Sequence, residues 1–329
     1  MINVINDSNN PYFNLAAEEY LLKFKDLKDD LLILWQNEPT IVVGKNQNTY
    51  EELNLDYINS NNIKVTRRLS GGGAVYHDLG NLNFTIIKNN FSNHRNDFSF
   101  FSAPVISCLN KLGIQATFSG RNDILIDGKK FSGNAQYFYK NKLLHHGTLL
   151  FSSDLSVLSE ALNVKKDKFE SKGIKSVKSR VTNISPYIEK NISLKEFKNK
   201  LIKSVFEDER KEMKNYILTS EDINMINELV ENKYGTWEWN FGRSPEFNYK
   251  KEMRFDVGNI CIEMNIVEGI IKYFKIFGDF FEQKPIEELE KQFIDNRFDF
   301  NEIKNTIDSL DISNYILNLS NENFIQMFL

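Results

Sequence analysis

The chain reads as an α/β protein with one large domain followed by a small α+β domain, and three observations predict this. Its 329 residues are enough for two hydrophobic cores rather than one. Strand-like and helix-like patterns are interspersed up to about residue 240, whereas from about residue 247 three strands come first and helices follow. An aromatic patch, Trp237-Glu238-Trp239-Asn240-Phe241-Gly242, separates the two regimes, so the division falls at 1–243 and 244–329.

In the first region, 1–7 opens with a strand. Asn10 is placed to cap a helix that has Pro11 at its first position, and Leu15, Ala16, Glu19, Tyr20 and Leu22 continue it at helical spacing. Two strands, 31–36 and 40–44, flank the turn Asn37-Glu38-Pro39, and Trp35 ends the first of them. A short amphipathic helix over 51–60 precedes a strand over 63–68. Residues 84–87 form the next strand, and a helix over 99–112 is closed by Gly113. Cys108 falls among that helix's apolar positions and reads as a small buried hydrophobe. A strand over 114–118 leads to two runs joined by Asp127-Gly128, a strong hairpin signal. The strand 143–151 carries His145, His146 and Thr148. Adjacent histidines in a strand face opposite sides, so at most one reaches a given site. Ser193-Leu194-Lys195-Glu196 is a capping box opening a helix to about 209, and Thr219-Ser220 opens another to about 232. In the second region, strands over 247–256, 259–266 and 270–277 turn at Val257-Gly258 and Glu268-Gly269, and two helical patterns follow, after Pro285 and from Asn301.

The bulk properties narrow the function. An apolar share of 41% with 26% charged residues is ordinary for a globular protein. The longest apolar runs, such as 31–35, are far shorter than the ~20 residues that span a bilayer. The first seven residues have neither a basic region nor a long apolar one, so no membrane association and a cytoplasmic location are expected. The two cysteines, Cys108 and Cys261, fit a reducing compartment. A net charge of −4 gives no general reason to expect nucleic acid.

The chemistry concentrates in the stretch Arg67-Arg68-Leu69-Ser70-Gly71-Gly72-Gly73-Ala74-Val75-Tyr76-His77-Asp78-Leu79-Gly80-Asn81. Three glycines let the backbone form a nest of N–H donors, and arginines beside it can grip a phosphate or carboxylate in bidentate fashion. On the Asp127-Gly128 hairpin a two-residue loop sets Leu125 opposite Lys130 and Asp123 opposite Ser132. Alternation then puts Asp123, Lys130 and Ser132 on one face and Phe131 on the other. A cation and a carboxylate thereby become neighbours on a rigid support. Further on, 165–183 is a basic island, read either as a solvated loop or as a flap that closes over a polyanion.

These residues resemble the lipoate-protein ligases. The stretch from Arg67 to Asn81 is similar to that family's signature loop. Gly120-Arg121-Asn122-Asp123, Lys130-Phe131-Ser132-Gly133, His145-His146-Gly147-Thr148 and the segment from Lys172 to Asn183 resemble its later motifs in order. The resemblance implies the fold shared by lipoyl and biotin ligases, a mixed sheet with helices around it, plus a small accessory domain. It implies that ATP and lipoate give lipoyl-AMP and pyrophosphate, with Mg²⁺ accompanying the nucleotide. The lipoyl group then passes to a lysine of a carrier domain, of the glycine-cleavage H-protein type or in a 2-oxo-acid dehydrogenase acyltransferase subunit. It implies that Arg68 and Gly73, Ala74, Val75 and Tyr76 bind nucleotide and that Lys130, the catalytic candidate, contacts the adenylate. Ser70, Gly71, Gly72, Asn81, Asn122, Asp123, Gly133, Thr148 and Lys172 are further nucleotide-site candidates, and the metal ligands are open, with Asp123 one candidate. Strand parity alone does not choose between Arg67 and Arg68; the resemblance selects Arg68.

The acyl chain is expected in an apolar slot lined by Trp35 and Val42, with Gly73 leaving room and His146 near the carboxyl end, and Ser70, His77, Ala135 and Lys130 as further substrate-binding candidates. One departure is Tyr137, where a member of the family carries an arginine. Three rival readings share these features: an octanoyl or lipoyl transferase working through a cysteine thioester, a biotin ligase, and a non-catalytic module that only holds carrier domains. The first needs a reactive cysteine, for which Cys108 on an apolar helix face is a poor candidate.

Overall fold

Among the described residues, eleven strands in the first region set the frame: β1 (Ile2–Ile5), β2 (Leu31–Trp35), β3 (Thr40–Val43), β4 (Lys64–Arg67), β5 (Val75–His77), β6 (Asn81–Asn89), β7 (Ala116–Ser119), β8 (Asp123–Ile126), β9 (Lys129–Tyr139), β10 (Lys142–Leu150) and β11 (Lys214–Ile217). They belong to a computed structural model that describes residues 1–91, 94–120, 122–162, 180–189, 192–208, 212–241 and 248–328. Eight strands make one sheet in the order β11-β1-β2-β6-β10-β9-β8-β7, and β4-β3-β5 make a second. In the large sheet β1 pairs in parallel with β11 and β2, and the remaining pairs are antiparallel. The mixed sheet expected from the resemblance is present.

The parallel pair β1 and β2 needs a crossover, and the helix Pro11–Lys23 supplies it. Asn10 accepts from the Tyr12 N–H at 3.0 Å, and Pro11 stands at the first turn. All five residues of β2 are buried, as a strand covered on both faces requires. Its alternation divides them: Leu32 and Leu34 join one core with the helices Phe98–Lys111 and Leu194–Asp208. Leu31, Ile33 and Trp35 join the other, with the helix Pro11–Lys23. The Ser193–Glu196 capping box is formed. The segment 51–60 departs from expectation, since two short helices, Thr49–Glu52 and Leu55–Ser60, replace one. Asn54 interrupts them and caps the second by accepting from the Tyr57 N–H.

The chain divides into two compact units. The first comprises Met1–Val42, Tyr50–Arg67 and Val75–Asn240; the second gathers Val43–Thr49 and Arg68–Ala74 with Phe241–Leu329. In the second, β12 (Tyr249–Phe255), β13 (Gly258–Val267) and β14 (Ile270–Gly278) form an antiparallel meander. Its Glu268-Gly269 turn has φ of 51° and 76°, the two positive values of a type I′ hairpin. Ile260, Ile262, Met264 and Phe274 of this sheet share a core with Phe293, Ile303 and Phe324. Two helical patterns were expected to close the chain. Helices Ile286–Glu290 and Phe300–Asp308 are joined by a third, Asn321–Ile325, capped by Ser320.

The helix Pro11–Lys23 is tied down through Asp222, the capping-box residue of the helix Ser220–Leu229. Tyr20 Oη donates to Asp222 Oδ1 at 2.7 Å and Lys25 Nζ does so at 2.8 Å; Tyr216 Oη and the Thr219 N–H donate to the other oxygen. Burial pushes this carboxyl's pKa up, but those donors outweigh it and hold it well below the usual range. A depressed carboxylate pKa stabilises the fold above the unfolded value of about 4, and that contribution is lost as pH falls through the folded value. Asp222→Asn is expected to lower the unfolding free energy in urea by about 3 kcal/mol at pH 7, the scale for breaking a buried charged network. The gap between wild type and variant should narrow below pH 4; a gap unchanged down to pH 2.5 would refute this account of Asp222.

Candidate active site

The hairpin β8–β9 is built as its turn sequence dictates, with φ of 49° at Asp127 and 74° at Gly128. Leu125 stands opposite Lys130, as expected. Asp123 does not face Ser132: a bulge between Ile124 and Leu125 shifts the register, so Ile124 pairs with Ser132 and Asp123 with Gly133. Both Phe131 and Ser132 are consequently buried, as two residues of a bulged strand can oppose one on its partner. The expected neighbours survive the shift, because Lys130 Nζ forms an ion pair with Asp123 Oδ1 at 2.7 Å. Gly133 makes room for it: a Cβ there would stand 2.9 Å from Lys130 Nζ. Around the pair, Asn122 Nδ2 donates to the Asn134 carbonyl at 2.6 Å and Asn134 Nδ2 returns to the Asn122 carbonyl at 2.9 Å. Thr148 Oγ1 accepts from the Gly133 N–H at 3.2 Å.

Of the basic island, 163–179, with Lys172, lies outside the described residues, as does Arg121. Its described end is stitched beside the hairpin: the Thr182 N–H donates to the Lys130 carbonyl at 2.8 Å, and Val181 bridges Lys130 in parallel.

One face of β9 links this cluster to the expected acyl slot. Gly133, Ala135 and Tyr137 alternate onto the same face, about 6.8 Å apart per step, and Ala135 is registered opposite His146. His146 Nδ1 lies 3.1 Å from both oxygens of Glu18. Thr85 Oγ1 donates to Glu18 as well, and Trp35 Nε1 donates to Thr85 Oγ1 at 2.9 Å. Trp35 and Val42 share a buried cluster, and the His77 ring meets Trp35 edge-on at 6.0 Å. His77 itself is 3.1 Å from Asn37 Nδ2 through Nδ1. The structure thus connects Trp35, His77, Ala135 and His146 through two residues the sequence reading passed over, Glu18 and Thr85. A signal for Glu18 existed: it follows Leu15 by three and precedes Leu22 by four, on the stripe that faces the core. Tyr137 keeps a cation nearby, since Lys23 Nζ lies 5.5 Å from its ring centre.

The two arginines have separate duties. Arg67 belongs to the first unit, where Nε donates to the Trp239 carbonyl at 2.9 Å and Nη2 to the Asn240 carbonyl at 3.2 Å. Burial brings its pKa down to about 10. Arg68, in the second unit, donates from Nε to Ser70 Oγ at 3.0 Å and from Nη2 to the carbonyls of Gly71 and Gly73, both at 2.8 Å. It was expected to grip a phosphate; in this structure its guanidinium shapes the glycine loop. Gly72, at φ 91°, donates its N–H to the Phe280 carbonyl at 3.1 Å. A Cβ on Gly71 would stand 2.4 Å from that same oxygen. A Cβ on Gly73 would meet nothing closer than 4.0 Å and Ala74 is half-buried, so the side-chain side of this end of the loop is open. Beyond it, Val75 pairs with Val42, and Tyr76 is buried, which pushes its phenol up to about 12. Asn81 donates to Asn83 Oδ1 at 2.9 Å.

Both cysteines are buried, and burial pushes the Cys108 thiol up to about 11, the reverse of what a thioester-forming nucleophile needs. Among the described residues no group of three or more His, Cys, Asp or Glu side chains is placed to hold a metal ion, and no helix is long and apolar enough to cross a membrane.

The two adjacent histidines behave differently. His145 is fully buried, stacked on Phe101 at 4.8 Å between ring centres, with ring nitrogens 3.2 Å from Gln136 and 3.3 Å from Asn134. Burial, reinforced by His146, holds its pKa well below the usual range. Charging it therefore opposes folding, so stability falls as pH drops below the unfolded value of about 6.5, by at most about 1.4 kcal/mol per pH unit. Nitrogen-15 spectra should show the His145 ring neutral down to pH 5; a titration midpoint above pH 6 would contradict this.

Comparison with known proteins identifies the family. The family model described as the lipoyl protein ligase A/B catalytic domain matches residues 10–206, and that of the bacterial lipoate protein ligase C-terminus matches residues 244–328. The chain is 42% identical to lipoate-protein ligase LplJ of Bacillus subtilis, covering 97% of each. It is 41% identical to lipoate–protein ligase 1 of Staphylococcus aureus, covering 98% of each. Among solved structures, P. falciparum LipL1 in complex with lipoate superimposes with a TM-score of 0.81 at 28% identity, over 99% of this chain and 97% of that one. A lipoate-protein ligase A bound with ATP gives 0.65 at 28% identity, over 73% and 98%. An archaeal bipartite lipoate protein ligase studied with its E2 lipoyl domain, from Thermoplasma acidophilum, gives 0.67 at 31% identity, over 74% and 97%. With a catalytic-domain match over well over half its residues and relatives above 40% identity along almost its whole length, the chain belongs to the lipoate-protein ligase family of enzymes.

Proposed function

We propose that this enzyme adenylates lipoate with ATP and then transfers the lipoyl group to a lysine of a lipoyl carrier domain. The observation that carries the reading is the Lys130 ammonium, held by Asp123 above the bare Cα of Gly133, on the strand face that leads in one step to Ala135 and His146. The lipoate-bound and ATP-bound relatives support the substrates, and the lipoyl domain of the archaeal system supports the acceptor class. The nucleotide residues expected from the sequence, from Arg68 to Tyr76 with Asn81, Asn122, Asp123, Gly133 and Thr148, are retained in this proposal, as is Lys172.

A carboxylate is a poor acyl donor. In the first step a lipoate oxygen attacks the α-phosphorus of ATP, the bond to the bridging oxygen breaks, and pyrophosphate leaves. Negative charge builds on the phosphate oxygens, and a fixed ammonium stabilises it without reorganising at the moment of reaction. Lys130 is suited to this because Asp123 fixes its direction and Gly133 removes the side chain that would displace it. It also draws the two reactants into attack geometry. In the second step the carrier's lysine, as a free amine, attacks the acyl carbon; the mixed anhydride C–O bond breaks, AMP departs and the amine proton is lost.

Mg²⁺ is expected to travel with the triphosphate and neutralise part of its charge. Magnesium at phosphate sites commonly takes one or two protein carboxylates and fills its other positions with phosphate and water. The single carboxylate of Asp123 fits that demand.

Purified enzyme incubated with ATP, Mg²⁺, lipoate and candidate carriers, of the glycine-cleavage H-protein type or from 2-oxo-acid dehydrogenase acyltransferases, should add one lipoyl mass to the carrier, with pyrophosphate released. Acyl transfer without ATP would overturn the proposal. Lys130→Ala should slow lipoyl-AMP formation by about 10²–10³-fold, corresponding to about 2.7–4 kcal/mol by analogy with the loss of an oxyanion-hole donor. It should leave the fold intact, since the Lys130 side chain is 39% exposed. Unchanged adenylate formation would remove Lys130 from its role.

A further inference from the structure

Within the second unit the glycine loop has a neighbour that the motif reading does not include. The segment Val43–Thr49 lies against it: the Arg68 N–H donates to the Val43 carbonyl at 3.1 Å and the Lys45 N–H to the Ser70 carbonyl at 2.9 Å. The approach is close enough that a Cβ on Gly44 would stand 1.9 Å from the Gly72 carbonyl oxygen. Lys45 is therefore anchored one hydrogen bond from the loop that the proposed function gives to the nucleotide phosphates.

The Lys45 ammonium is held by carboxylates from the segment after β14. Lys45 Nζ is 2.9 and 3.1 Å from the two oxygens of Glu282 and 3.4 Å from Glu287 Oε2. Asn46 Nδ2 reaches Glu282 Oε2 at 3.4 Å, and the Gly278 N–H closes the arrangement on the Asn46 carbonyl at 2.7 Å. Lys45 and Glu282 are nearly buried, with side chains 16% and 9% exposed. Burial raises the Glu282 carboxyl's pKa despite the cation beside it, so desolvation outweighs the pairing there. The Lys45 ammonium is thus paired with two carboxylates beside the loop, one of which, Glu287, also faces Lys275.

We infer that Lys45 is a further phosphate-binding cation of the nucleotide site, and that Glu282 is its resident counter-anion, which a bound triphosphate must replace. This rests on the adenylation reading above. The ligand class is the phosphate chain of a nucleoside triphosphate, for which an ammonium acts as a point charge. Glu282 keeps the buried ammonium paired when no nucleotide is bound, and its displacement sets a standing cost on nucleotide affinity. Glu282 is a positioning residue in this scheme, acting through Lys45.

The test is ATP–Mg²⁺ binding to the full-length enzyme by calorimetry, in wild type, Lys45→Met, Glu282→Gln and the double variant. Lys45→Met keeps the stem and removes the charge; Glu282→Gln can still accept from Lys45. Urea midpoints report whether each variant is folded. Lys45→Met should weaken Kd about tenfold, Glu282→Gln should tighten it several-fold, and the double variant should match Lys45→Met because the gain from Glu282→Gln passes through Lys45. A Glu282→Gln Kd within twofold of wild type overturns the inference, as does a gain that persists without Lys45. If wild type binds ATP and only these variants fail to respond, the adenylation reading stands and this inference falls. Absence of ATP binding to wild type overturns both.

Discussion

The register between β9 and β10 is the constraint on which the proposed chemistry depends. Pairing Ala135 with His146 and Gly133 near Thr148 puts the expected activating cation and the expected acyl slot on one face of one strand. A slip of one residue would send every side chain to the opposite face. His145 would then look toward Glu18, and His146 into the phenylalanine core. Several buried contacts oppose that slip: His145 fits between Phe101, Gln136 and Asn134, and Gly147 is needed because a Cβ there would strike Asn134 Oδ1 at 2.2 Å. The histidine pair is therefore a matched set, one ring fixing the sheet and the other facing the helix Pro11–Lys23.

Glu18 shows how the fold supports such a polar centre. A carboxylate 3% exposed is costly unless its lone pairs are used. Thr85 and His146 use them, while Trp35 completes the chain through Thr85. The neighbouring Glu19 is satisfied separately, by Lys23, Lys233 and Tyr234. Two adjacent buried glutamates on one helix thus serve different ends: Glu19 ties the helix to the segment around Tyr234, and Glu18 orders the floor of the candidate slot. The anchoring of the helix through Asp222 fixes the direction from which Glu18 arrives.

What the sequence made legible follows from how local each determinant is. The Asp127-Gly128 turn could be read because type I′ geometry demands residues that tolerate positive φ, and the Lys130–Asp123 neighbours followed from it. The bulge could not, since one extra residue in Lys-Lys-Phe-Ser-Gly leaves no mark on an alternation already broken by Ser132. The cap at Asn10 and the capping box at Ser193 were legible because their partners lie within four residues. Glu18 meets His146 across 128 residues, and Lys45 meets Glu282 across 237; contacts of that span leave only weak composition signals. The glycine loop was legible as a loop, while the use of Arg68 to brace it was not, because a guanidinium offers the same fork to a carbonyl as to a phosphate.

That bracing changes how the loop's chemistry should be weighed. A triple glycine suggests donors waiting for an anion, yet Gly72's N–H already serves Phe280, and Arg68 already serves Ser70, Gly71 and Gly73. Any of these groups that turns to a phosphate exchanges one hydrogen bond for another, and such exchanges yield only about 0.5–1.5 kcal/mol each, more where the phosphate charge assists. In the proposed nucleotide site, the ground-state affinity expected from this loop is consequently modest. Binding a substrate more tightly does not by itself speed its conversion; only contacts that strengthen as charge develops do so. A preformed, internally satisfied loop suits that second purpose, because its dipoles are fixed before the reaction begins.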